Sequence, residues 1–179
     1  MQAFVTGFVD FVSANRDWAP LFVFLLALAE TTAFVSLLIP STAILLGVGA
    51  LIATGALDFT PLFIAAAAGA LIGSSFSYWL GLRWGPAVLG LWPLNREPAL
   101  VARGTDAFAR WGAGAVLIGH FVGPLRSVAF LTAGVSTMPV LVFQLANVPG
   151  AIVWAFVVPK SGEISGEALG AAWRALVGA

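Results

Sequence analysis

Two ionisable side chains lie inside long apolar segments of the sequence. Glu30 is the one formal charge in residues 19–57, and Arg126 is the one formal charge in residues 111–158. A charge at the centre of a membrane helix costs about 2.5–3.5 kcal/mol, so such residues usually serve a function. A guanidinium offers a fork of donors that suits phosphate, whereas a carboxylate can hold a proton or a cation. The sequence therefore predicts an anion site at Arg126 and a proton or cation site at Glu30, with a purely structural ion pair as the alternative.

The single histidine, His120, lies six residues before Arg126 in the same apolar segment. A lone histidine is more often a satisfied core residue than a ligand, but this one shares a segment with the proposed anion site. We predict that His120 helps Arg126 to bind phosphate, since imidazole changes charge near physiological pH. Asn147 and Gln144 are predicted to form hydrogen bonds between helices.

The composition places these residues in a membrane protein. The 179 residues are 60% hydrophobic and 9% charged, with a mean hydropathy of +1.01, whereas soluble domains carry about 25% charged residues. Ribosomal, nucleic-acid-binding and ordinary cytosolic proteins are therefore excluded, and a net charge of zero provides no field to attract a polyanion. The chain has no cysteine and one histidine, and it lacks a Gly-rich phosphate loop. We therefore predict no enzyme activity, no metal site and no cofactor.

Two segments are too long for one membrane crossing and are broken near their middle. Residues 19–57 would extend about 58 Å as a continuous helix, against a hydrocarbon core of about 30 Å. The break has neither charges nor aromatic residues beside it, which predicts a re-entrant hairpin rather than the alternative, an ordinary two-helix hairpin. Residues 111–138 repeat this pattern. The residues at the two breaks, with one asparagine of the last helix, are predicted to line the site: Pro40, Ser41, Thr42, Gly123, Pro124 and Asn147.

The predicted fold class is an all-α polytopic membrane protein, an inverted repeat of two re-entrant helical hairpins that are each followed by a transmembrane helix. Gly69 and Gly73 predict close helix packing, and the arginines of the polar loop place that loop in the cytoplasm. The predicted single membrane domain, 1–179, comprises an amphipathic N-terminal segment (1–18), the first hairpin (19–57), a transmembrane helix (59–80), the polar loop (81–110), the second hairpin (111–138), a transmembrane helix (139–158) and a tail (159–179).

Four motifs resemble those of the DedA family of membrane proteins, also called the VTT or SNARE-associated family. They are ETTAFVSLLIPSTAILLGVGAL from Glu30, GALIGSSFSYWLGLRWG at Gly69–Gly85, HFVGPLRSVAFLTAGVSTMP at His120–Pro139 and NVPGAIVW at Asn147–Trp154. Together they cover most of residues 30–158 in the order and spacing of the family.

The resemblance implies a multi-pass protein of the bacterial inner membrane that flips a lipid phosphate such as undecaprenyl (polyprenyl) phosphate, with proton coupling. It places Glu30 on the family's membrane glutamate, where it would hold a proton that competes with the substrate. Arg126 falls on the second of the family's two arginines. His120 stands where the first arginine is usual, and Thr42 stands where a second acidic residue is usual, so the formal charge balance of the pocket is unchanged.

The expected partners are membrane lipids and the lipid-phosphate substrate, without nucleic acid, and a homo-oligomer is left open. Two other functions are compatible with the same residues. One is a non-transporting membrane factor that supports envelope integrity, in which Glu30 and Arg126 form only a structural pair. The other is a proton-coupled exporter of small cations.

Overall fold

The computed structural model describes residues 16–35, 48–49, 51–53, 57–122 and 125–177, with side chains among them from residue 17 to residue 165. The α-helices are α1 (Ala19–Thr31), α2 (Phe59–Trp84), α3 (Pro98–Trp111), α4 (Ala113–Gly119), α5 (Leu125–Val135) and α6 (Val140–Val177), and 3₁₀ turns occupy Arg16–Trp18, Gly85–Gly90 and Leu94–Arg96. No strand occurs in these ranges. The all-α prediction is confirmed for them, whereas the inverted repeat stays a prediction.

The helices α2 and α6 are the two elements of the described ranges that are long enough to cross a membrane. The apolar helical stretches run from Phe59 to Arg96 and from Val140 to Ser165. The 26 residues of α2 extend about 39 Å, which exceeds the hydrocarbon thickness of about 30 Å. Leu141 and Leu145, one turn apart on α6, are each 69% exposed. An apolar outer face of this kind is suited to lipid rather than to water.

The helix α1 packs against α2 through two glycines. A Cβ atom on Gly69 would collide with the carbonyl of Phe24, and a Cβ on Gly73 would collide with the side chain of Thr31. The close packing predicted for this glycine pair is therefore confirmed. Because the contacted residues advance in the same direction along both helices, α1 and α2 run parallel.

Parallel packing requires the chain to return between α1 and α2. Residues 48–49 and 51–53 belong to this return and are helical. Gly49 lies against the backbone of α6, where an added Cβ would be 2.9 Å from the Cα of Gly162. The predicted break at Pro40, Ser41 and Thr42 lies outside the described residues.

The helices α4 and α5 are the arms of the second predicted hairpin. They extend about 10.5 Å and about 16.5 Å, so neither arm can cross the membrane alone. A Cβ added to Gly119, at the end of α4, would lie 3.4 Å from the Cβ of Ala129 in α5. The arms are thus packed together, and the predicted break at Gly123 and Pro124 lies outside the described residues.

The observed helices extend beyond several of the predicted boundaries. The helix predicted at 59–80 continues to Trp84, and the end of the polar loop predicted at 81–110 forms α3. The helix predicted at 139–158 begins at Val140 and continues through Pro159 to Val177. Lys160 Nζ donates to both carboxylate oxygens of Glu163 at 2.8 Å, and such a pair one turn apart stabilises the helix directly after the proline.

Candidate functional site

Glu30 and Arg126 meet inside the protein. Glu30 is the penultimate residue of α1 and is 1% exposed, and Arg126 is the second residue of α5 and is 3% exposed. The Nη2 atom of Arg126 donates to Oε1 of Glu30, so the two residues form a buried ion pair. The structure thus brings together the two charged residues that the sequence singled out, although they are 96 positions apart.

Trp154 of α6 forms the third side of this site. The guanidinium carbon of Arg126 lies 5.5 Å from the centroid of its indole ring. A cation above a tryptophan ring is stabilised by about 0.5–2 kcal/mol, with the larger value in desolvated sites. We refer to Glu30, Arg126 and Trp154 as the charge cluster, to which α1, α5 and α6 each contribute one residue.

Ser77 of α2 fixes the end of the helix that carries Glu30. Its Oγ donates to the carbonyl of Thr31 at 2.9 Å and accepts from the backbone N–H of Ala33 at 3.0 Å. The last carbonyls of a helix have no partner within the helix, so a buried helix end needs donors from elsewhere. Ser77 supplies one of them and thereby positions the carboxylate against α5.

His120 follows α4 and is completely buried. Its Nε2 donates to Oδ1 of Asn147 at 3.0 Å, and its ring centroid lies 4.9 Å from that of Phe130. No described residue offers its Nδ1 a hydrogen-bond partner. His120 therefore neighbours the hairpin turn that carries Arg126, but its described hydrogen bond is to α6 and not to the arginine.

The hydrogen bond of His120 begins a chain of polar side chains that crosses three parts of the fold. Asn147 Nδ2 donates to Oε1 of Gln144 at 3.0 Å, and Gln144 Nε2 donates to Oγ of Ser75 in α2 at 2.9 Å. The interhelical hydrogen bonding expected of Asn147 and Gln144 is therefore present. We call His120, Asn147, Gln144 and Ser75 the amide chain.

Gly150 lets α6 pass close to His120. A Cβ at this position would lie 2.6 Å from Cδ2 of His120 and 3.1 Å from the carbonyl oxygen of Leu117. The first contact is shorter than any that real Cβ atoms make and the second is tight, so a side chain here would force α6 or the imidazole to move. This approach places Asn147, one turn earlier on α6, within reach of the imidazole.

The structure does not test the remaining residues that were predicted to line the site. Pro40, Ser41, Thr42, Gly123 and Pro124 lie outside the described residues, so their role as pocket lining stays a prediction. Within the part of the chain that the structure describes, no three His, Asp or Glu side chains are grouped so that they could hold a metal ion.

Sequence reasoning missed three residues that contact the predicted ones, namely Trp154, Gly150 and Ser75. Trp154 is one of seven tryptophans, and several others are exposed, so its residue type alone does not indicate a place beside an arginine. Gly150 and Ser75 lie in motifs that were recognised, but their partners are far away in sequence. Only the helix packing identifies them.

Comparisons with known proteins show the family of this chain. A family model described as the VTT domain matches residues 39–163. This chain belongs to the VTT-domain, or DedA, family. Inner membrane protein YabI of Escherichia coli strain K12 is 32% identical over 160 residues, which are 89% of this chain and 63% of that protein.

Two other relatives are also membrane proteins that are longer than this chain. A membrane protein of Buchnera aphidicola subsp. Baizongia pistaciae is 25% identical over 164 residues, 92% of this chain and 64% of its own length. A membrane protein of Synechocystis is 39% identical over 125 residues, 65% of this chain and 55% of its own length. The chain thus spans less than two thirds of these relatives. Their names describe membrane proteins and state no enzyme activity, and no solved structure matches the chain.

Proposed function

We propose that this VTT-domain protein transports a lipid phosphate across the bacterial inner membrane, and that undecaprenyl (polyprenyl) phosphate represents the substrate class. One observation carries the proposal: a buried guanidinium on α5 is held by a carboxylate from α1, 96 positions away in the sequence. An arginine held in this way can exchange one oxyanion for another, because carboxylate and phosphate use the same donor fork.

In the proposed mechanism Arg126 binds the phosphate headgroup and the hydrocarbon chain stays in the bilayer. Trp154 keeps the guanidinium in place when the carboxylate leaves, since its ring attracts the cation without using any N–H donor. Nε2 of His120 donates to Asn147, so Nδ1 of the neutral ring is an acceptor and contributes by accepting the hydrogen of a monoprotonated phosphate. Alternating exposure of the site then carries the headgroup from one face to the other.

The contact between Glu30 and Arg126 bears on whether protonation of Glu30 favours or opposes phosphate binding. The carboxylate itself competes with phosphate for the guanidinium, so protonation of Glu30 weakens the ion pair and favours phosphate binding. This differs from the sequence-based expectation, in which the proton was the competitor. Proton and lipid phosphate would then bind together, and transport would increase as the pH falls.

A second candidate function is favoured by the deep burial of the same ion pair. With exposures of 1% and 3%, Glu30 and Arg126 could serve only the fold of a non-transporting membrane factor. Removal of one member of a buried ion pair typically costs about 3–5 kcal/mol, whereas removal of both members can be neutral. The two functions therefore make opposite predictions for a double variant.

The first test replaces Arg126 with lysine in purified protein reconstituted into liposomes that contain a fluorescent polyprenyl phosphate. Lysine keeps the charge but loses the bidentate fork, so translocation should fall by about tenfold or more, while the detergent melting temperature changes little. Arg83→Lys, at an exposed arginine of α2, is the matched control and should transport normally. Undiminished transport by Arg126→Ala would rule out the phosphate clamp.

The second test compares Glu30→Gln with the double variant Glu30→Gln/Arg126→Gln. The single variant should fold and lose the pH dependence of transport, because the proton site is gone. The double variant should be stable and inactive. A double variant that recovers both stability and activity would show that the pair serves only the fold.

A further inference from the structure

An apolar cavity lies between α3, α4 and α5, on the polar-loop side of the hairpin that carries Arg126. Its volume is about 240 Å³, and all nine residues that line it are apolar. α3 contributes Gly104, Ala107 and Trp111, and α5 contributes Leu125 and Ala129. The charge cluster does not use this cavity, although Leu125 directly precedes Arg126.

The cavity is open at one side rather than enclosed. Trp111, Ile118 and Val122 belong to its wall and are 58%, 43% and 40% exposed. These are the exposed surfaces of a protein that lies in lipid, so a hydrocarbon chain can enter from the bilayer. An engineered apolar cavity of about 150 Å³ binds one benzene molecule. A cavity of 240 Å³ is therefore large enough for a segment of one hydrocarbon chain.

Two arginines of α3 directly precede residues that line the cavity, Arg103 before Gly104 and Arg110 before Trp111. Arg103 and Arg110 are seven residues apart, so they lie on the same side of the helix, separated by about 10.5 Å along its axis. The cavity-lining Ala107 lies on that side between them, at positions i+4 and i−3. Both guanidinium groups are exposed, and no described carboxylate lies within ion-pairing distance of either. Asp106 lies on the same side of α3, three residues after Arg103 and four before Arg110.

The apolar cavity and the two guanidinium groups together indicate the chemistry of the occupant. It combines an apolar chain with an anionic headgroup. The long arginine side chains can both reach a headgroup above Ala107, and guanidinium binds phosphate through parallel donors. A neutral lipid would leave the arginines unused.

We infer that this cavity is a docking site for a single-chain lipid monophosphate, with the hydrocarbon chain between α3, α4 and α5 and the phosphate on Arg103 and Arg110. The inference rests on the proposed function and adds a loading site to it, distinct from the buried clamp at Arg126. Because Leu125 and Ala129 form the wall on α5, a docked chain would lie alongside the helix that presents Arg126.

The test uses dodecyl monophosphate with a diazirine near the end of its chain, added to liposomes that contain the full chain. After illumination, adducts on the unmodified protein should map to cavity residues, chiefly Trp111, Ile118 and Val122. The corresponding diazirine-labelled dodecanol should label them about tenfold less, since it lacks the charge-assisted hydrogen bonds to the arginines. Equal labelling by the alcohol, or adducts spread over the whole lipid-facing surface, would overturn the site.

Two pairs of variants separate the chain pocket from the charge. Ala107→Phe fills the cavity, whereas Ala109→Phe makes the same change at an exposed position of α3. Only Ala107→Phe should abolish labelling of the cavity residues. Arg103→Gln/Arg110→Gln should reduce labelling by the phosphate probe to the level of the alcohol, while Arg83→Gln/Arg96→Gln should not. If the two members of either pair label equally, the proposal is wrong.

The assay also separates this inference from the proposed function. Specific labelling of the cavity without any lipid-phosphate translocation would refute the transport function and leave the docking site standing. Normal translocation by Ala107→Phe, with labelling equal to that of Ala109→Phe, would refute the docking site and leave transport standing. The unmodified protein provides the mapping result even if a variant fails to fold.

Discussion

Trp154 illustrates how a single residue sets the environment of a buried charge. Its ring is 2% exposed and lies against the guanidinium of Arg126. An aliphatic residue would fill only part of this space and would offer the cation no aromatic face. The stability of the protein should therefore depend on Trp154 through both packing and electrostatics.

The electrostatic part can be isolated with Trp154→Leu in two backgrounds. In the unmodified protein the substitution loses packing together with the cation–π contact. In the Glu30→Gln/Arg126→Gln background it loses packing alone. The free energy of unfolding should fall by about 0.5–2 kcal/mol more in the first background, as measured by detergent melting. Trp79→Leu, at a ring that is 51% exposed, is the control; equal losses in both backgrounds would argue against the cation–π contact.

The sequence predicted the charged residues of the site and gave their ion pair as an alternative, but it did not predict their contact with Trp154. Glu30 and Arg126 stood out because any charge is costly in an apolar segment, and this cost can be recognised without knowing the fold. Their pairing depends on how α1 and α5 are placed, which local patterns do not specify. Trp154 resembled the aromatic residues common at membrane interfaces, and only its burial distinguishes it from them.

At the level of secondary structure elements, Gly150 sets the distance between α6 and the hairpin. The hypothetical Cβ at this position lies 2.6 Å from the imidazole of His120, so an alanine must push α6 away or displace the ring. Either movement stretches the hydrogen bond between His120 and Asn147. The glycine therefore couples helix packing to the geometry of the site.

Gly150→Ala should lower the free energy of unfolding by about 1–3 kcal/mol, as overpacking in a core typically does. Gly114→Ala is the matched control, because a Cβ there would meet Trp111 at an ordinary 3.6 Å. Alanine favours a helix over glycine by about 1 kcal/mol, so the control should be neutral or slightly stabilising. Thermal melts of both variants in the same detergent decide the matter, and a melting temperature for Gly150→Ala at or above that of the control would refute the clash.

Element boundaries were less predictable than element types. The long apolar helices followed from hydropathy and length, and Gly69 with Gly73 correctly indicated close packing. The end of α6 did not follow, because Pro159 and the charged residues after it are usual signals for a helix end. The structure shows that Lys160 and Glu163 instead pair along the continuing helix.

For the whole molecule, the length and direction of α2 determine which surfaces face which side of the membrane. Asp58 precedes the helix and Arg96 lies beyond its far end, and both side chains are exposed. If the polar loop is cytoplasmic, as the arginine distribution predicts, Asp58 must lie near the opposite face. The docking site on α3 would then load from the cytoplasmic side.

This orientation can be tested with single cysteines, because the chain contains none of its own. Arg96→Cys should react with a membrane-impermeant maleimide only after the cells are opened. Asp58→Cys should react in intact spheroplasts. Labelling of Arg96→Cys from outside intact cells would reverse the orientation, and labelling of both positions from one side would refute the crossing by α2.

The amide chain has a consequence that concerns protons rather than packing. Every link donates in the same direction, from His120 through Asn147 and Gln144 to Ser75. Rotating both amide groups by half a turn gives an equally complete chain in which Ser75 donates and the imidazole accepts, with its hydrogen moved to Nδ1. The chain thus has two self-consistent polarities, and the tautomer of the single histidine selects one of them. A change in the tautomer of His120 would therefore reverse the hydrogen bond of the Ser75 hydroxyl on α2. It would do so through rotation of the two amide groups, without the displacement of any helix.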